Sequence, residues 1–198
     1  MRGNSMAKRQ SEFRPDSKGL GLFHKLYFTK KQRQTFLRWL LMAVTLLVAS
    51  LLQDVILCQM DVFGATTNLV PCAIFVAVMI LGTERGSLFG LLGACFYAFS
   101  GPAPGYHVIA VITVLCICGA MFRQSYLHRS FSSCFLCAGV CMLLYELIIF
   151  GIALLLGQAV IYRISVSLVS VVLSLIAIPL YYPIFRRILR IGGDLWKD

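Results

Sequence analysis

Acidic residues are scarce in this chain: Asp and Glu number eight in 198 residues, and all charged residues together make up 13%. Soluble domains carry about one-quarter charged residues, so an ordinary water-soluble globule is excluded. Tryptophan (two), histidine (three) and proline (six) are also few. Three histidines, at 24, 107 and 128, lie at the edges of apolar stretches and read as interfacial side chains. The sequence contains no phosphate loop, GxSxG elbow, HExxH zinc helix or dinucleotide fingerprint, so neither an enzyme nor a cofactor is expected.

What is present is apolar: 59% of the residues are hydrophobic. Uncharged runs cover 39–53, 62–83, 86–122, 130–145, 147–162 and 164–185, interrupted by single charges such as Asp54, Glu146 and Arg163. Crossing ~30 Å of hydrocarbon takes about 20 helical residues. The runs therefore predict membrane helices at about 36–58, 68–82, 86–99, 106–122, 132–156 and 161–184. The fold class expected is an all-α integral membrane protein, a compact bundle of about six helices. The second and third are short, as in a pair that recruits polar flanks (Thr66, Thr67) or forms a re-entrant hairpin. Residues 1–34 read as a basic tail whose first nineteen residues are disordered and whose 20–34 stretch lies on the bilayer. Residues 35–188 read as the membrane domain, and 189–198 as a second tail.

Lysine and arginine resist translocation and mark the cytoplasmic side. With both termini cytoplasmic, seventeen of the eighteen basic residues lie inside and only Arg163 lies outside. The high net charge does not indicate nucleic acid, because the basic residues are divided among membrane ends and no binding fold remains to present them. Anionic lipid is the partner they suit, with Lys30, Lys31, Arg33 and Arg38 before the first span and Arg186, Arg187 and Arg190 after the last. A cleaved leader ending near Val48-Ala49-Ser50 is disfavoured, since the apolar stretch continues past that point.

Ionisable residues within membrane helices are costly and mark function or a structural pair. Gln53 and Asp54 near the outer end of the first span, Glu146 in the fifth and Arg163 opening the sixth are the candidates, with Arg163 reaching inward to Asp54 or Glu146 as a polar lock. Gly86, Gly90 and Gly93 share one helix face and predict close packing against a neighbouring helix within the bundle. Ser100-Gly101-Pro102-Ala103-Pro104-Gly105 is an uncharged turn. Pro179 and Pro183 are expected to kink or end the last span. Most of the eight cysteines, including Cys134 and Cys137 of a CxxC, sit inside apolar runs and read as small packing residues, with no metal expected.

The order of these features resembles the rod-shape-determining protein MreD family of the bacterial cell-elongation machinery, over most of the membrane region. Leu51-Leu52-Gln53 is similar to the family's Leu-Gln near the outer end of the first span, and Thr67-Asn68-Leu69 to its Pro-Asp/Asn-Leu. Arg85-Gly86 with Gly90 and Gly93 resembles its glycine-bearing helix, Ser100-Gly101 through Gly105 its following turn, and Tyr145-Glu146 a pair in some Gram-positive relatives. Tyr97 stands where the family often has Asp, and Thr67 where it usually has Pro. The resemblance implies a non-catalytic scaffold in the bacterial plasma membrane. Its expected partners are an MreC-like bitopic protein, a RodA-type glycosyltransferase with a penicillin-binding transpeptidase, and, indirectly, MreB filaments. The alternative is the substrate-binding component of an energy-coupling-factor vitamin transporter, with Asp54, His107, Glu146 and Arg163 around an outer pocket. Against it, Ala43 and Ala49 lie six apart and lack the Ala-x-x-x-Ala docking stripe of that class. An intramembrane CAAX-type protease would need paired Glu or His residues, and Glu146 has no such neighbour in sequence.

Overall fold

The computed structural model describes residues 30–55, 67–100, 103–126, 130–157 and 164–191. These form seven helices: α1 Lys30–Val55, α2 Leu69–Leu81, α3 Thr83–Phe99, α4 His107–Tyr126, α5 Phe131–Leu155, α6 Ile164–Leu175 and α7 Ile178–Arg190. No strand occurs among the described residues. Arg163 and Gly101 lie outside them, as does the surface segment expected before residue 30.

By length and composition α1, α4 and α5 are each able to cross a membrane, and the α6–α7 pair makes a fourth span if counted as one. The chain is an all-α membrane protein. Helix α1 begins about six residues earlier than the apolar run does, because Lys, Gln and Arg are good helix formers and no breaker lies between Lys30 and Phe36. The last apolar segment is two helices, bent by 42°. Pro179 lies in the first turn of α7 and its ring would strike the carbonyl of Leu175, four residues back, which is where α6 stops. Pro183 lies inside α7 without ending it.

Helix α2 is the centre of the bundle. Its sequence, Leu-Val-Pro-Cys-Ala-Ile-Phe-Val-Ala-Val-Met-Ile-Leu, is apolar on every side, and such a helix has no face to offer water. It packs against all six other helices, and from Val70 through Met79 every residue is buried. Gly82 alone links α2 to α3, with φ of 83°, a left-handed backbone that suits glycine. Two antiparallel helices thus meet with almost no loop.

The glycine face of α3 lies on α2. A Cβ on Gly86 would come within 2.8 Å of the Val78 carbonyl oxygen, and one on Gly93 within 3.0 Å of Ile74. A Cβ on Gly90 would meet Cys116 of α4 at 3.0 Å, so α3 is wedged between α2 and α4. Gly119 of α4 completes this tight zone, since a Cβ there would lie 2.5 Å from Met79 and 2.6 Å from Cys141. Dispersion contacts of this kind hold membrane helices together where lipid is as apolar as leucine. Cys134, Cys137 and Cys141 face inward along α5, and the described cysteines are free thiols.

Candidate functional site: a polar layer at the start of the central helix

A helix begins with four backbone N–H groups that have no partner inside it, and at the buried start of α2 water is not at hand to satisfy them. The bundle supplies the partners from other helices. The Asn68 backbone N–H donates to Ser174 Oγ of α6 at 3.1 Å, and the Val70 N–H donates to Gln53 Oε1 of α1 at 3.0 Å. Pro71, the next position, has no N–H to satisfy. Three of the four positions are thus settled by a serine, a glutamine and a proline.

Around this helix end the side chains form a network. Asn68 Nδ2 donates to Glu146 Oε1 of α5 and approaches Ser170 Oγ of α6 at 3.4 Å. Ser170 Oγ donates to the same Glu146 oxygen at 3.4 Å, and Ser174 Oγ donates to the Ser170 carbonyl at 2.8 Å. The Tyr97 side chain of α3 lies beside the side chains of Tyr145 and Gln53. Phe75 of α2 packs edge-on against Tyr145, with ring centroids 6.3 Å apart. Five helices therefore contribute polar groups to one layer, and Gln53, Glu146, Ser170, Ser174, Tyr97 and Tyr145 are all buried. The positive end of the α2 dipole points into this layer.

Asp54 does not join the layer. It is exposed on the outer side of α1, and its oxygen accepts from Ser50 Oγ at 3.4 Å. The Arg163 side of the expected lock lies outside the described residues; Glu146 is engaged by Asn68 and Ser170. Gln53 and Asn68, read from sequence as separate motifs, come to the same helix end, Gln53 through the Val70 N–H and Asn68 through Ser174 and Glu146. Arg85 is exposed at the start of α3, far along that helix from Tyr97, and Gly105 has φ of 140° in the turn before α4, against the His107 ring. No group of three or more His, Cys, Asp or Glu residues is arranged to hold a metal among the described residues.

No family model, no curated protein and no solved structure matches this chain.

The other end of α2 is closed by arginine. Arg123 of α4 donates through Nη1 to the Met79 carbonyl oxygen, with Cys134 of α5 close by. A cation at a helix C-terminus meets both the free carbonyls and the negative end of the dipole. Arg38, read from sequence as a lipid anchor, is instead buried at 6% exposure, and its Nε donates to the Ile191 carbonyl at the end of α7. Arg123 and Arg38 therefore both act inside the protein as caps on helix ends.

Ser170 and Ser174 were not singled out from sequence, and Tyr97 was noted only as a departure from the family pattern. The serines carried a signal: Ser167, Ser170 and Ser174 recur at helical spacing in an otherwise aliphatic segment, which places them on one face. Tyr97 carried a weaker one, as the residue at which this chain departs from the family pattern.

Proposed function

We propose that this protein is a non-catalytic membrane scaffold of the bacterial cell-elongation machinery, similar to the MreD family. It would cross the plasma membrane six times, as α1, α2, α3, α4, α5 and the bent α6–α7 pair, with both termini cytoplasmic. The observation that carries the reading is the convergence of Gln53, Asn68, Tyr97, Tyr145 and Glu146. The resemblance rests on Gln53, Asn68, Tyr145 and Glu146 from three separate stretches of sequence, and they meet in one layer together with Tyr97, which stands where the family often has Asp.

The role that suits such a molecule is positional. The polar layer is occupied by its own hydrogen bonds, and the exposed surface is dominated by Leu, Val, Ile and Phe on the helices. A bundle of this kind acts by presenting fixed helix faces to other membrane proteins: an MreC-like bitopic partner, and through it a RodA-type glycosyltransferase and its transpeptidase. The basic cytoplasmic ends, including Arg186 stacked over the Tyr182 ring at 5.9 Å, would sit near anionic lipid and MreB filaments.

The test is in-cell crosslinking of a tagged copy, purification in detergent and mass spectrometry of the proteins that accompany it. Recovery of the MreC-like protein with cell-wall synthases is the expected result. Recovery of two ATPase subunits and a coupling membrane protein would overturn the scaffold in favour of a vitamin transporter.

A further inference from the structure

Helix α1 turns a regular aliphatic row away from the bundle. Leu37, Leu40, Val44, Leu47 and Leu51 are 43, 44, 47, 48 and 54% exposed, at spacings that alternate three and four residues. The same alternation, continued one step each way, reaches Arg33 at the inner end and Asp54 at the outer end, both exposed. An unbroken row of this period is what a second helix needs to pack along the first at a shallow crossing angle.

Spacing alone does not separate a docking face from a lipid face. Leu136, Val140, Leu143 and Leu147 on α5 are also exposed at the same spacing, and that row carries no charge at its outer end. The α1 row does. Asp54 follows Gln53, which belongs to the polar layer, and along α5 that layer lies nine residues, about 13 Å, short of the helix end. Among the described residues Asp54 has the Ser50 hydroxyl as its partner and no ion pair. A carboxylate facing acyl chains is costly, and the usual remedy is a cation or donor from another helix.

We propose that this face of α1 is the docking surface for one transmembrane helix of a different protein, running parallel to α1 and carrying a Lys or Arg near its outer end. The charges select this occupant. A second copy of this chain, inserted the same way, would set Asp54 against Asp54 and Arg33 against Arg33. A helix with a basic outer end and an acidic or polar inner end answers both. The inference rests on the orientation proposed above and gives the bitopic partner of that reading its place and its chemistry.

The experiment is photo-crosslinking in the native cell from benzoylphenylalanine placed at Leu40 or Leu47, with Leu136 and Val140 as comparison sites, followed by identification of each adduct. The expected result is an adduct from the α1 positions alone, to a membrane protein whose single helix has a basic residue near its outer end. Asp54→Lys should lower its yield at least tenfold without changing detergent stability, and replacing the partner's basic residue by Asp should restore it. Adducts with a second copy of this chain, lipid adducts at all four positions, or rescue of Asp54→Lys by Arg163→Asp within the same chain would each overturn the proposal. If the elongation proteins crosslink only from other helices, the scaffold reading survives and this one fails. If α1 captures a basic single-span protein that has no part in wall synthesis, the reverse holds.

Discussion

Asn68 and Glu146, 78 positions apart in the chain, share a hydrogen bond at the start of the central helix. Removing Glu146 takes from Asn68 its carboxylate acceptor, and removing Asn68 takes from Glu146 its amide donor, leaving the longer contacts to Ser170 in each case.

Glu146→Leu is therefore expected to destabilise the bundle by about 1–3 kcal/mol, the usual cost of leaving buried polar partners unpaired. Glu146→Gln retains an oxygen that accepts from Asn68 and should lose less. Detergent unfolding midpoints for the two variants and for Asp54→Asn, whose side chain is exposed, give the comparison. Equal loss in all three would remove the polar layer as a source of stability.

The glycines provide a graded series. Gly86→Ala puts a methyl 2.8 Å from a backbone oxygen that cannot move aside, and Gly119→Ala puts one 2.5 Å from the flexible end of Met79. Overpacking of this kind costs about 1–3 kcal/mol, with the larger loss expected at Gly86. Gly151 has open space where its Cβ would lie, so Gly151→Ala should unfold at the parent temperature or slightly above it.

Arg123→Met removes the cap on the carboxyl end of α2. The Met79 carbonyl loses its donor, and a loss of about 1–3 kcal/mol follows. Arg187, exposed on α7, serves as the comparison, and Arg187→Met should change the unfolding midpoint little. Similar shifts in both would mean that net charge, and not capping, sets the effect.

Orientation is open to direct labelling. A cysteine at Ala103 should react with a membrane-impermeant maleimide in whole cells, and a cysteine at Arg129 only after permeabilisation. The opposite pattern would invert the assignment of every end.

Much of the fold was legible because it depends on composition and period. The starts and ends of α2 through α5 fall within about four residues of the apolar boundaries read from sequence, since in a membrane the end of an apolar run is also the end of the helix. The glycine face of α3 was legible because a row of missing side chains has one common use. The break between α6 and α7 was half legible: Pro179 announced a kink, but that α6 would stop at Leu175 depends on the ring meeting a carbonyl four residues back. The polar layer was not legible as a layer. Gln53 and Asn68 belong together only because α2 starts at the depth where α1 is close to its end, and a single sequence does not print relative depth. Arg38 misled for a related reason: a basic residue at the edge of an apolar run reads as an anchor, and the carbonyl of Ile191 that receives it lies 153 positions away.

The dependence of α2 on serines over a hundred positions downstream bears on how the chain is made. Ser174 accepts the Asn68 backbone N–H and offers its own carbonyl to Cys72, separations of 106 and 102 residues. During synthesis α1 through α5 are made before α6, and until α6 arrives the Asn68 N–H at the amino end of the innermost helix lacks its serine acceptor. Arrival of α6 is thus the step that closes this end of α2, and chains truncated before it are expected to be held by insertion chaperones or destroyed by membrane proteases.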